Sequence, residues 1–209
     1  MGNRGLFAAL VALAAFSASC SQPGDLTPES AQMDSTRPTE SYVRQTDSHG
    51  LPLPFVNKMA KRWNSSNDGS PYEPCTAMDE STAAELGLDP GSVKDAAKVD
   101  GQTLRGCEWR YIDPEEWSWS AYQMVADYDS LADYKNLNPT FNWLESQNLE
   151  SRSVGVASLN SGQCFTYVQS LDSGVVSGVG YAGLPNPPLA EICQRAIDLT
   201  EATIDKIPE

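Results

Sequence analysis

Side chains that could catalyse a reaction are sparse in this chain of 209 residues. Glu115 and Glu116 are adjacent, and a pair of carboxyl groups can supply the general acid and base of a glycosidase. His49 is the only histidine, and the chain contains no G-x-S-x-G nucleophile motif. We therefore predict no catalytic residues, and an enzyme that uses paired carboxylates is the alternative.

The N-terminus predicts export and a lipid anchor. An apolar run over residues 6–16 precedes small residues and Cys20. This run of about 11 residues is too short to cross a bilayer, which needs roughly 20, so residues 1–19 are predicted to be a signal peptide. The ending Ala18-Ser19-Cys20 resembles the lipobox of bacterial lipoproteins, although Ser17 replaces the usual aliphatic residue. The resemblance implies that Cys20 is acylated, with a lipid such as palmitate, and holds the protein on the extracytoplasmic face of the cell membrane.

Four further cysteines follow. They include no Cys-x-x-Cys pair and no neighbouring histidine, so no metal site is predicted. An even number of cysteines in an exported chain indicates disulfides. Of three possible connectivities we predict the sequential one, because each pair then brackets one compact unit of helix and strand. The predicted bonds join Cys75 to Cys107 and Cys164 to Cys193.

Two tryptophans are the predicted ligand-binding or partner-binding residues. Alternation along a strand places Trp117 and Trp119 on the same face. Two indole rings on one face could stack on a sugar or another flat ligand. The alternative is that both rings belong to the core or cover the open face of the sheet.

The net charge argues against nucleic acid as a partner, and the position of a glycine motif argues against a dinucleotide cofactor. The chain carries 28 acidic against 14 basic residues, a net charge of −14. Such a surface repels phosphate backbones, so nucleic acid is not a predicted partner. Gly178, Gly180 and Gly183 have the spacing G-x-G-x-x-G, but this motif binds dinucleotides only where it opens a helix. Here it lies in a predicted strand, so no cofactor is predicted.

Composition divides the mature chain into two parts. Residues 20–72 are rich in Ser, Thr, Pro, Gln and Asp, which predicts a lipid-anchored, disordered tether. Within it, the apolar and basic segment 51–63 is interpreted as a loosely docked arm, or alternatively as a contact segment for a partner. Residues 73–209 are predicted to form a globular α+β domain.

Periodicity predicts the elements of this domain. A short helix over 79–86 begins with acidic residues and ends at Gly87. A long helix runs from residue 187 or 188 to about 207. The predicted strands cover residues 104–112, 117–127, 153–159, 163–171 and 175–181. In the first of them alternation places Cys107, Trp109 and Tyr111 on one face, which is expected to be buried. We therefore expect an antiparallel sheet of about five strands, with a short N-terminal and a long C-terminal helix packed on one face and two disulfides.

Four short motifs carry a family resemblance. They are Pro74-Cys75, the strand Gly106-Cys107-Glu108-Trp109, the Cys164 strand and the helix Cys193-x-x-Ala196. Together they resemble an actinobacterial family of envelope lipoproteins built on a domain of unknown function, over residues 70–209. The resemblance implies an exported, anchored α+β domain and supplies no catalytic residues. We expect a non-enzymatic lipoprotein that binds a protein partner or a small ligand at the cell envelope; the alternative is a cell-envelope hydrolase.

Overall fold

An antiparallel sheet of eight strands dominates the computed structural model, which describes residues 43–112 and 118–209. Its order is β1-β2-β3-β8-β7-β6-β4, and β5 pairs with β6 at a different place along that strand. The longest strands are adjacent, and a register shift between Ser158 and Asn160 interrupts the pairing of β6 with β7. The strands are β1 Lys94–Asp95, β2 Arg105–Arg110, β3 Trp119–Ala126, β4 Asn142–Trp143, β5 Gln147–Leu149, β6 Arg152–Asn160, β7 Gln163–Ser170 and β8 Ser173–Tyr181.

The predicted fold class is wrong, because the sheet has more strands and the helices are shorter than expected. We expected an antiparallel sheet of about five strands with a short and a long helix packed on one face. The described residues instead form a sheet of eight strands. The three additional strands, β1, β4 and β5, contain two or three residues each. Such short segments have no period of their own, and they are strands only because they pair with β2 or β6. The five long strands were each predicted, with ends that differ by at most two residues.

The helices of the described residues are shorter than the predicted ones. They are α1 Pro74–Ala77, α2 Glu80–Glu85, α3 Leu131–Leu137 and α4 Leu189–Glu201. Asp79 caps α2 through a carboxylate that accepts a hydrogen bond from the Thr82 amide at 2.8 Å. The last helix ends at Glu201, and a 3₁₀ turn over Ile204–Lys206 follows it. Pro188 occupies the N-cap position of α4 and makes no side-chain capping hydrogen bond.

One face of the sheet, which we call the helical face, packs against α4. The helix contributes buried residues that include Ile192, Ala196 and Leu199. From the sheet come Cys107 and Trp109, which are 0% and 3% exposed. Their burial confirms the side of β2 that alternation assigned to the core.

Both predicted disulfides are present. Cys75 bonds to Cys107, with 5.4 Å between their Cα atoms, and joins α1 to β2. Cys164 bonds to Cys193, with 4.9 Å between their Cα atoms, and joins β7 to α4. The second bond therefore fixes the long helix to the helical face.

Residues 43–73, which we call the arm, differ from the expected disordered tether. Gln45 exchanges hydrogen bonds with Asn57: its amide donates to the Asn57 carbonyl oxygen, and its side-chain oxygen accepts from the Asn57 amide, both at 2.9 Å. Leu53 and Arg62 are buried, at 8% and 1% exposure. The described part of the predicted tether is therefore folded against the sheet, because polar side chains satisfy a backbone that has little regular structure.

Two buried arginines fasten this arm to β2. The Arg62 guanidinium donates to both carboxylate oxygens of Glu73, at 2.7 and 3.0 Å, and to Asp95 at 3.0 Å. Arg105 on β2 lies 3.3 Å from the same Glu73 carboxylate. Its remaining donors bind arm carbonyl groups, those of Asn67, Ser70 and Tyr72. The side chains of Arg62, Glu73 and Arg105 are at most 1% exposed, so the arm is part of the fold.

Candidate functional site

Trp119 lies in the core. It is 5% exposed, and its ring centroid is 4.9 Å from that of Tyr181 and 6.2 Å from that of Tyr111. The Arg195 guanidinium carbon lies 4.1 Å from the same ring. Trp119 thus takes the structural role that was the alternative to ligand binding.

Several predicted positions lie outside the described residues. They are the signal peptide 1–19, the lipidation site Cys20, Trp117, Glu115 and Glu116. Their predictions, including the paired carboxylates of the hydrolase alternative, stay predictions.

The opposite side of the sheet, which we call the aromatic face, carries a second cluster of rings, some buried and some partly exposed. Strand register places Tyr122, Gly178 and Phe165 in one row across β3, β8 and β7. The neighbouring row includes Met124 and Tyr167. These side chains share a face because residues two apart in a strand point the same way.

Glycines allow the rings to lie close to this sheet. A Cβ atom at Gly178 would be 2.1 Å from Cζ of Tyr122, and one at Gly174 would be 2.1 Å from Cε2 of Tyr167. Any larger residue would therefore displace a tyrosine ring. Glycine within a strand often marks such a close approach.

Helix α3 brings Tyr134 onto the aromatic face. Ser130 caps α3 by accepting a hydrogen bond from the Asp133 amide at 3.0 Å. The Tyr134 ring stacks on Tyr167 with centroids 4.8 Å apart and meets Tyr128 edge-on at 4.7 Å. These separations are typical of favourable aromatic pairs, so the rings form a continuous wall.

A cavity of about 290 Å³ opens between this wall and the sheet, and we call it the aromatic cavity. Its volume is at the small end of ligand sites, which span roughly 300 to 1,000 Å³. Apolar and aromatic side chains dominate its lining, and Asn138 and Gln163 add amide groups. The other lining residues are Leu104, Tyr122, Met124, Tyr128, Tyr134, Phe141, Leu159, Phe165 and Val176.

Three phenol hydroxyls at this cavity have no protein partner. Those of Tyr122, Tyr128 and Tyr134 make no hydrogen bond to any residue between 43 and 112 or 118 and 209. No side-chain oxygen in those ranges is both fully buried and unpartnered, so each of these hydroxyls keeps some accessible surface. Burial raises the pKa of Tyr122 to about 12 and raises that of Tyr134 further. The phenols therefore stay protonated at neutral pH and can donate hydrogen bonds to a ligand.

Two other cavities fit a ligand less well. One of about 360 Å³ lies where the arm meets the C-terminus, near Asp47, Thr76 and Lys206. Its polar groups are already engaged: the Thr76 hydroxyl donates to Asp47 at 2.7 Å, and Lys206 donates to the Ala77 carbonyl at 2.8 Å. A second cavity, of about 290 Å³, is bordered by Arg195. The guanidinium of this residue already lies over the Trp119 ring.

Sequence reasoning missed the aromatic cavity because it chose Trp117 and Trp119 as binding residues, and Trp119 lies on the helical face. Alternation along β3 had separated Tyr122 and Met124 from Trp119. The signal that could have directed attention to them is the set of glycines at alternate positions in β8, Gly174, Gly178 and Gly180. Glycines that share one face of a strand leave room for large side chains from its neighbours.

Fold and site together define a disulfide-bonded, mainly antiparallel β protein with an aromatic cavity on one face of its sheet. The chain belongs to the family described as protein of unknown function (DUF3558), whose match covers residues 15–206. This membership confirms the expectation of a domain of unknown function.

Comparison with curated proteins and with solved structures gave no match. Within the two described ranges, no cluster of three or more His, Cys, Asp or Glu side chains is arranged to hold a metal ion. No helix in those ranges has both the length and the apolar character needed to span a bilayer.

Proposed function

We propose that this protein is an actinobacterial envelope lipoprotein, anchored through acylated Cys20, that binds a small ligand in its aromatic cavity without catalysing a reaction. The aromatic cavity is the observation that carries the binding proposal. The apolar run over 6–16 and the small residues before Cys20 support export and anchoring. Family membership is compatible with both parts and assigns no chemistry.

The lining supports a ligand with one ring system and a few polar atoms. Aromatic walls provide apolar area, and sites of this kind use a small number of polar groups to orient what they hold. Here the phenols of Tyr122 and Tyr134 provide donors, and the amides of Asn138 and Gln163 lie at the same cavity. A ligand with a hydrogen-bond acceptor on a flat apolar body suits this combination.

The anchor is tested by replacing Cys20 with alanine. Because acylation needs the thiol, we expect the Cys20→Ala chain to lose labelled palmitate and to leave the detergent phase in a detergent partition assay. Two acyl chains supply the stable membrane attachment that one chain does not. The neighbouring change Ser21→Ala serves as the control and should partition as the wild type does. Unchanged partition of Cys20→Ala would contradict the lipoprotein proposal.

The cavity is tested by two glycine substitutions on the same strand and face. Gly178→Ala places a Cβ atom 2.1 Å from Cζ of Tyr122 and forces that ring to move, whereas the nearest atom to a Cβ at Gly180 is Ser120 Oγ at 3.4 Å. We expect Gly178→Ala to weaken binding of the neutral probe 2-naphthol about tenfold, and Gly180→Ala to change it by less than about twofold.

Titration of full-length protein labelled with ¹³C-tyrosine, in a maltoside detergent, measures both affinities from the ring signals. Equal affinities of the two variants would show that the probe binds elsewhere. Absence of any probe effect on the wild-type tyrosine signals would refute the proposed cavity function.

A further inference from the structure

Several aromatic rings outside the aromatic cavity are paired with cations. An aromatic ring attracts a cation placed over its face within about 6 Å. Such pairs occur on the arm, on the helical face and beside α3. They are Arg44 and Arg62 with Trp63, Arg62 with Phe55, Lys135 with Trp143, and Arg195 with Tyr111 and Trp119.

The rings that line the aromatic cavity have no such partner. None of Tyr122, Tyr128, Tyr134, Phe141 and Phe165 lies against a Lys or Arg from the described residues. Lys135 on α3 lies 5.1 Å from the centroid of Trp143, which is not a lining residue. The cavity therefore presents aromatic surface that no cation of the described chain occupies.

Nearby charge is negative. Asp129 and Asp133 are exposed residues at the start of α3. Burial is the main cause that raises the pKa of Tyr167, and Tyr128, Asp133 and Asp129 raise it further. The carboxylates thus act on the ring cluster behind the cavity, in a chain whose net charge is −14.

These observations favour some ligand charges over others. An anion would lose its hydration with no lining Lys or Arg to compensate, which is costly. A primary ammonium needs hydrogen-bond acceptors for three N–H groups, and amide oxygens are the only strong acceptors among the lining side chains apart from phenols. A quaternary ammonium has no N–H group and is the cation that aromatic cages recognise.

We propose that the ligand of the aromatic cavity is an organic cation that carries a quaternary ammonium group. The proposal rests on the proposed function, because it assigns a charge to the ligand of the same cavity. The cation takes the place on these rings that Arg or Lys takes on Trp63, Trp119 and Trp143. Phenol hydroxyls of the lining bind an acceptor atom on the rest of the ligand.

A pair of probes with the same shape tests the charge. Phenyltrimethylammonium and tert-butylbenzene differ only in the exchange of a charged nitrogen for carbon. We expect the cation to bind the wild-type protein about tenfold more tightly, as the strength of a desolvated cation–ring contact implies. The measurement is protein-observed NMR of the full-length chain with labelled tyrosines, in a maltoside detergent.

The outcomes separate this proposal from the proposed function. Equal or tighter binding of tert-butylbenzene would overturn the cation proposal and leave the cavity as a site for neutral ligands. Failure of both probes to bind would also overturn the cation proposal, and the 2-naphthol titration would decide the cavity function independently. If both probes bound and Gly178→Ala weakened neither of them, the cation would bind at another site. That result would overturn the assignment to this cavity.

Two pairs of variants that each remove two negative charges test whether Asp129 and Asp133 strengthen binding of the cation. The pair Asp129→Asn and Asp133→Asn removes two carboxylates beside the ring cluster, whereas Asp198→Asn and Glu201→Gln removes two from α4 on the opposite face. We expect the first pair to weaken phenyltrimethylammonium binding about threefold at low salt and the second to change it by less than about 1.5-fold. Equal effects of the two pairs would show that only the net charge of the chain acts on the cation, which would overturn the role of Asp129 and Asp133.

Discussion

Replacement of Glu73 with alanine is expected to lower the free energy of unfolding by about 3 to 5 kcal/mol. Glu73 is the carboxylate that Arg62 and Arg105 share, and all three side chains are at most 1% exposed. Its loss leaves two buried guanidinium groups with Asp95 as the remaining carboxylate partner of Arg62. Burial already lowers the pKa of Arg105 to about 10, and the charge of Glu73 acts in the opposite direction.

A surface carboxylate provides the matched control. Glu108 on β2 forms ion pairs with Lys94 and Lys98, whose side chains are 51% and 64% exposed. Exposed pairs contribute about 0 to 1 kcal/mol, so Glu108→Ala should have a small effect. Urea unfolding of both variants measures the difference. If Glu73→Ala destabilised the protein no more than Glu108→Ala, the buried network would not hold the arm to the sheet.

Removal of the Cys164–Cys193 disulfide is expected to cost about 3 to 4 kcal/mol. The bond closes a loop with a sequence separation of 29 residues, and the chain-entropy model gives roughly this value for such a loop. Both cysteines are buried, at 0% and 5% exposure, so the double change to alanine also loses packing between β7 and α4. Urea unfolding under non-reducing conditions measures the effect on the full-length protein.

The other disulfide provides a comparison with a different expectation. Cys75–Cys107 has a similar separation of 32 residues, so loop closure alone predicts a similar loss. However, Cys75 Sγ lies 3.2 Å from the Arg62 guanidinium, and its removal also disturbs the buried ion pairs. We expect its loss and Glu73→Ala to be non-additive, because they share a partner. Additive effects would show that the disulfide and the network act independently.

Long strands and disulfides were predictable because each leaves a local or countable signal. Alternation alone assigned Cys107 and Trp109 to the buried side of β2. The same argument found the other four long strands, since each carries at least seven residues between turn signals. The cysteine pairing followed from which elements each pair brackets.

Features that depend on distant partners were not predictable in this way. The strands β1, β4 and β5 exist only through pairing with β2 and β6. The arm has a polar composition typical of disorder, and what orders it is Arg105, a residue beyond the arm that binds three of its carbonyl groups.

The aromatic cavity depends on register between strands that are far apart in the chain. Tyr122 and Phe165 meet the same residue, Gly178, from opposite sides. Alternation predicts that each points to one face of its own strand, but not that the two rings border a common space. The remaining walls come from α3 and the residues after it, including Tyr134 and Phe141, whose position over the sheet has no local sequence signal.

The position of the Cys75–Cys107 bond also determines how the fold responds to mechanical load. Tension applied to the chain before residue 43 would peel the arm away until Arg62 left its buried carboxylates. Unravelling would then stop at Cys75, because the covalent bond passes the force directly to β2. The released length is limited to the residues between 43 and 75, roughly 110 Å when fully extended. If the chain is anchored as proposed, a pull from the membrane would therefore produce a defined extension and leave the aromatic cavity intact.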